Sequence, residues 1–146
     1  MTKALIIGEH DGQTLNPATA KTVKGASQLG VEAIDIVLFG TGLDAVAGQA
    51  AALSGVTRVL TCDDEEFAHP MAARLAPEVA ALAADYSHIL TGSTTFGKDL
   101  LPRAAALIGA NQVSDIMEVI DGRIFKRPIY AGNAIVTVQV PGDGPV

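Results

Sequence analysis

The sequence is poor in several things, and each shortage excludes something. It has one cysteine, Cys62, so neither an internal disulfide nor a cysteine metal cluster can form. It has no tryptophan, and aromatic residues make up 4% of the chain, so the core is built from small and branched aliphatic side chains. Positive charge is scarce: 10 Lys and Arg stand against 16 Asp and Glu, a net charge of −6. Non-specific nucleic-acid binding needs Lys and Arg to displace counterions and is excluded as a function class. A small anion held by backbone amides is not excluded. No apolar run reaches the ~20 residues that span a bilayer. Met1-Thr2-Lys3 leads straight into a strand and lacks the form of a signal peptide. The expectation is a soluble protein of a reducing compartment.

What is present is apolar: 49% of 146 residues, with Ala and Gly abundant. That suffices for the core of one ordinary domain. Ala4 to Ile7 is an unbroken apolar run ended by Gly8, the pattern of a strand buried on both faces. Asn16-Pro17 reads as an N-cap and a first-turn proline. Val23, Ala26 and Leu29 then recur at helical spacing up to Gly30. The alternation repeats: strand Ala33 to Phe39, helix Leu43 to Leu53, strand Arg58 to Thr61, helical segment Pro70 to Ala84, strand His88 to Thr91, helix Lys98 to Ile108. Pro77 predicts a kink or two short helices in the third of these helical segments. Strands and helices in alternation specify a parallel sheet covered on both faces.

The remainder changes character. Val113 to Val119 and Ile124 to Tyr130 read as extended, joined by a hairpin-like turn at Asp121-Gly122. Ala134 to Val140 reads as a further strand. The expectation is an antiparallel extension of the sheet at the carboxyl-terminal end.

Ligands of open α/β sheets bind beyond the carboxyl ends of the strands. Gly92-Ser93-Thr94-Thr95-Phe96-Gly97-Lys98 lies there and satisfies G-x-x-x-x-G-K. Asp99 then stands where a phosphate loop carries the Ser or Thr that binds magnesium, and its charge opposes a triphosphate. The segment reads as a helix start with Ser93, Thr94 or Thr95 as cap and Asp99 complementing the dipole, with at most a vestigial anion site. The candidate residues of such a nucleotide pocket are Gly8, Thr91, Gly92, Ser93, Gly97 and Lys98. Gly40-Thr41-Gly42 begins a dinucleotide fingerprint, but Ala45 occupies its third glycine position, and a tight turn explains the two glycines. His10, His69 and His88 lack a second ligand at metal-binding spacing and read as surface or loop residues. Asp63 to Glu66 reads as a solvated acidic loop. Cys62 has no adjacent base and reads as an inert thiol, and a small hydrolase built on it or on Ser93 lacks a general base. No G-x-S-x-G elbow occurs. No catalytic residue and no metal site is expected.

Four segments together resemble the alpha subunit of electron-transfer flavoproteins: Ala4 to His10, Gly97 to Ala105, Val113-Ser114-Asp115-Ile116, and the Arg127 to Ala134 stretch Arg-Pro-Ile-Tyr-Ala-Gly-Asn-Ala. The resemblance covers essentially the whole chain. It implies a three-layer α/β/α domain, Rossmann-like and adenine-nucleotide-hydrolase-like, with a mainly parallel sheet and antiparallel strands added at the carboxyl-terminal end. It implies an alpha–beta heterodimer that carries electrons from flavin dehydrogenases, including acyl-CoA dehydrogenases, to a quinone oxidoreductase. One FAD belongs mainly to the alpha subunit's carboxyl-terminal domain, and AMP, where present, to the beta subunit. Residues 1–146 correspond to the amino-terminal domain, truncated before the FAD domain, so a non-catalytic scaffold that buries apolar surface against the beta subunit is expected, without FAD of its own. The implied compartment is the bacterial cytoplasm or the mitochondrial matrix. The competing expectation is a stand-alone adenine-nucleotide module similar to universal stress proteins, although that family's G-x-x-G-x9-G-[ST] pattern is missing.

Overall fold

The computed structural model describes residues 2–146. Four strands, β1 (Lys3–Ile7), β2 (Ala33–Gly40), β3 (Arg58–Asp63) and β4 (His88–Leu90), form a parallel sheet in the order β3-β2-β1-β4. The unbroken apolar runs are explained by burial on both faces. Ala4 and Ile6 of β1, with Ile34, Ile36 and Leu38 of β2, face one layer; Leu5, Ile7, Val37 and Phe39 face the other. The first layer holds α1 (Pro17–Ala26) and α2 (Asp44–Ala51), and the second holds α3 (Ala72–Ala83) and α4 (Thr95–Ile108). The chain therefore steps outward from β1 to β3 over one face, then crosses and returns beside β1 as β4. The strand order reverses between β1 and β4.

The helix ends follow from local chemistry. The Asn16 side chain accepts from Ala18 N at 2.9 Å with Pro17 in the first turn. Gly109, at φ +66°, ends α4. Helix α3 runs unbroken through Pro77, contrary to the expected kink or pair of helices. Pro77 and Ala73, whose carbonyl loses its donor, both lie on the exposed side of the helix, where the missing bond costs least. Helix α4 begins at Thr95, three residues before the expected Lys98, and carries Pro102 on its exposed side in the same way.

The carboxyl-terminal strands β5 (Glu118–Asp121), β6 (Ile124–Ile129) and β7 (Ala134–Gln139) are antiparallel, as expected, but form their own sheet in the order β5-β6-β7. Only the end of the Val113 to Val119 segment is strand. Phe125, 2% exposed, and Val140 join the α1–α2 core, so the small sheet packs as a layer rather than extending an edge. His88 fastens it. Rather than a surface or loop residue, His88 is 8% exposed in β4, with its Nε2 2.6 Å from Gly122 O in the β5–β6 turn and its Nδ1 2.9 Å from Ser87 Oγ. His88→Ala is expected to cost about 1–3 kcal/mol, the price of an unmet polar group. Urea unfolding measures the loss, with amide exchange at the β5–β6 turn rising beyond that of β2.

The Arg123 guanidinium clamps the following loop, donating to the carbonyls of Val140, Pro141 and Gly144 at 3.1, 3.1 and 2.9 Å. Val146 then donates to Ser87 O at 3.0 Å and accepts from Ile89 N at 2.8 Å, the two-bond pattern of a parallel pair on the outer edge of β4.

Candidate functional site

The reversal of strand order places the ligand crevice of this architecture between β1 and β4. The sequence candidates converge there, but mostly as packing. A Cβ on Gly8 would press into Leu38, and one on Gly92 would lie 2.8 Å from the Ala18 Cβ. A Cβ on Gly97 would overlap the Gly92 carbonyl oxygen. Gly97 lets backbone approach backbone, and Gly8 and Gly92 leave room for side chains of β2 and α1. Thr91 Oγ1 donates to Ile7 O at 3.1 Å, tying the β1 and β4 ends together.

Three amides that could help cradle a phosphate, Gly97 N at the start of α4 and Gly42 N and Leu43 N after β2, are engaged by the chain's own side chains. Thr94 is the N-cap of α4, accepting from Gly97 N at 3.3 Å while its hydroxyl donates to Glu9 Oε2 at 2.6 Å. A carboxylate thus stands at this helix start, where P-loop proteins place phosphate. Asp99 lies beyond the first turn and points outward, so Thr94 is the cap and Asp99 plays no part in it. At the next turn Asp63 accepts from Gly42 N and Leu43 N, both at 3.0 Å. The first residue of the expected solvated acidic loop is therefore a clasp on the Gly40–Gly42 turn, and Asp64 caps the short 3-10 turn Glu65–Phe67 through Glu66 N. His10 is similarly structural. Gly12 N–H donates to its Nδ1 at 3.0 Å, so Nε2 carries the proton and donates to Phe39 O at 2.9 Å.

Other candidates remain apart. His69 and Ser93 are exposed. Burial, with the charge of Glu78, pushes the Cys62 thiol up, which disfavours the reactive thiolate. Among the described residues, no group of three or more His, Cys, Asp or Glu side chains is placed to hold a metal.

Two features escaped the sequence reading. One lies at the opposite end of the sheet. Asp35, fully buried in β2, accepts through Oδ2 from Arg58 Nη2 at 2.6 Å, Arg58 Nε at 3.2 Å and the Tyr86 hydroxyl at 2.7 Å, while its Oδ1 has no partner. Burial alone would raise this carboxyl, but the bonds from Arg58 and Tyr86 outweigh it and hold it below its ordinary value. The only advance signal was an Asp inside an apolar run. The network lies away from the crevice and is structural.

The second feature is a groove of about 830 Å³ beside the crevice, lined by α1, the β4–α4 loop, the segment before β5, and β6. Lys21, Lys98, Arg127 and Asp115 are its charged lining residues. Of the six pocket candidates, Thr91, Gly92, Ser93, Gly97 and Lys98 border this groove, while Gly8 does not.

Residues 4–146 match the family described as the electron transfer flavoprotein domain. The electron transfer flavoprotein subunit alpha of Pseudomonas aeruginosa is 46% identical over 135 residues, 92% of this chain and 43% of that protein. The mitochondrial subunit alpha of Arabidopsis thaliana is 41% identical over 147 residues, 97% of this chain and 40% of that protein. The subunit alpha of Paracoccus denitrificans is 40% identical over 136 residues, 92% of this chain and 44% of that protein. The chain spans about two fifths of the length of the curated relatives it matches.

Proposed function

The chain belongs to the electron transfer flavoprotein domain family, and on that premise we propose that it is the amino-terminal, non-catalytic scaffold domain of an alpha subunit. In this reading the complete alpha–beta heterodimer carries FAD and moves electrons from flavin dehydrogenases, such as acyl-CoA dehydrogenases, to a quinone oxidoreductase, with AMP in the beta subunit. The domain works in the bacterial cytoplasm or the mitochondrial matrix. No helix among the described residues is long and apolar enough to cross a membrane.

The observation that carries this reading is the crevice filled from within. Asp63 takes the turn amides after β2, and Glu9 and Thr94 close the start of α4. A pyrophosphate would meet carboxylates at both places, so these residues do not fit FAD and no redox step is routed through them. The parallel pair of Val146 with β4 supports a further strand of the same sheet in the longer protein.

A scaffold needs a surface to offer. Five exposed large apolar residues lie on or beside the small sheet: Ile116, Met117, Ile120, Tyr130 and Ile135, the last two 79% and 58% exposed. They support docking of the beta subunit on this side. Tyr130 and Ala131 hold φ of +50° and +52°, with Asn133 Nδ2 donating to Tyr130 O at 3.0 Å, and this strained turn presents Tyr130 outward.

Ile135→Asp combined with Tyr130→Ser is expected to weaken association with the beta subunit at least ~10-fold, about 1.4 kcal/mol, with an unchanged circular dichroism spectrum. Surface-immobilised beta subunit gives the affinity, and equal binding by the variant would remove this face from the interface. Calorimetry with AMP and ATP separates the scaffold from a stand-alone nucleotide module: binding no tighter than that of inorganic phosphate is expected, and micromolar, adenine-dependent binding would favour the module.

A further inference from the structure

Arg127 sits at the third position of β6 after Ile124 and pairs with Val136, as Phe125 pairs with Val138. Strand side chains alternate, so Arg127 shares the inward face of the nearly buried Phe125. A guanidinium is thereby carried into the space between the small sheet and the helical layer. Its Nε is inaccessible to water and lacks any hydrogen-bond partner, and no other bond or ion pair holds the guanidinium among the described residues. A buried donor left unmet is unfavourable, and native structures leave few.

The surroundings are unusual for this chain. Lys21 from α1 and Lys98 from α4 line the same groove as Arg127, with Asp115 as its one lining carboxylate. Asp115 lies 3.6 Å from Lys98, with the Lys98 side chain 62% and the Asp115 side chain 41% exposed. The groove lining carries three positive charges against one negative, in a chain whose net charge is −6. Thr91, Ser93 and Ser114 add hydroxyls to the lining.

We propose that this groove is an oxyanion site, in which Arg127, assisted by Lys21 and Lys98, holds a carboxylate or phosphate group. Arg is suited to the grip because its planar fork presents two parallel donors to such a group. The two lysines, more exposed, draw the anion in and add charge without fixed geometry. The groove lies beside the filled crevice between β1 and β4 and shares the β4–α4 loop with it. It meets the face proposed for the beta subunit only at Ile116, and its test reads the Arg127 group rather than subunit affinity, so the two readings fail separately.

The oxyanion can come from a free small molecule or from a carboxylate of the remaining alpha–beta assembly. Nitrogen-detected NMR of the Arg127 Nε–H group distinguishes them. With the present chain, inorganic phosphate or citrate is expected to shift that resonance saturably, and Arg127→Gln, folded by circular dichroism, to weaken binding at least tenfold. Lys21→Gln and Lys98→Gln are expected to weaken it several-fold. If the oxyanion is a free small molecule, phosphate shifts the resonance in the full heterodimer as well. If it is protein-borne, the resonance is already displaced there and phosphate adds nothing. An Nε–H resonance that responds to neither anion and is the same in chain and heterodimer overturns the proposal, as does equal anion binding by Arg127→Gln.

Discussion

Arg58→Ala is expected to destabilise this domain more than Asp35→Asn and to reverse the pH dependence that Asp35 confers. Their bridge is lopsided: the Asp35 side chain is fully buried, whereas that of Arg58 is 57% exposed. Removing Asp35 leaves a guanidinium that water can reach and a Tyr86 hydroxyl without its acceptor, which costs about 1–3 kcal/mol. Asp35→Asn retains an acceptor for Tyr86 and stays at the low end. Removing Arg58 instead leaves the carboxylate buried without its countercharge, the more severe way to break such a pair. In the native chain the folded-state pKa of Asp35 lies below its ordinary value, ~3.9. Its stabilisation is therefore present above that pH and lost as pH falls through the folded value. In Arg58→Ala burial dominates and the folded pKa rises. The variant then gains stability on acidification from neutrality to about pH 4. Urea midpoints across that range read the sign, and native-like pH dependence would show that Arg58 does not control Asp35. Burial and the bond to Asp35 push Tyr86 up to about 12. Stability should therefore also fall as the solution is made alkaline from about pH 10, and Tyr86→Phe should abolish that part.

Gly97→Ala is the second large effect. Alanine is favoured over glycine inside a helix by about 1 kcal/mol, and Gly97 is the third residue of α4. Propensity alone predicts a gain. The new methyl, however, would overlap the Gly92 carbonyl oxygen and lie 2.8 Å from Thr91 Cγ2. Backbone cannot rotate aside as a side chain can, so the turn from Thr91 to Gly97 must open and release the Thr94 cap. Overpacking of this kind costs about 1–3 kcal/mol, and more where backbone must move, so the net sign is destabilising. Gly48→Ala is the control: Gly48 is exposed in α2 and a Cβ there meets nothing within 4 Å. Gly48→Ala should stabilise by up to about 1 kcal/mol. Thermal melts of the two variants should move in opposite directions; a gain with Gly97→Ala would mean the close approach is absent.

The parallel sheet was legible because its physics is local. Unbroken apolar runs mark strands buried on both faces, and Asn16-Pro17 marks a helix start whatever lies above it. The antiparallel strands were legible as strands, but not as a separate sheet. Alternation in Ala134 to Val140 tells which face is apolar, not which layer that face meets, and the tie through His88 and Gly122 spans 34 residues. Pro77 misled because the rule for proline assumes an interior site, and Ala73, whose carbonyl is orphaned, here lies on the exposed side of the helix. The candidate pocket was half legible. Gly92 and Gly97 turn out to be sites of close approach, but glycine spacing does not say whether a phosphate or the chain itself arrives. Here Ala18 and Gly92 O arrive, and Glu9 and Asp63 take the positions a phosphate would need. Arg127 was visible only within its family stretch; its lack of a partner is a property of the folded chain alone.

The central claim is that this domain binds its partner subunit and carries no flavin itself. Sedimentation velocity of the chain mixed with the beta subunit and excess FAD, recorded at protein and flavin wavelengths together, tests both halves at once. The account predicts a one-to-one complex whose sedimenting boundary carries no flavin absorbance attributable to the chain. Separate boundaries for the two proteins, or a yellow boundary formed by the chain alone with FAD, would contradict it.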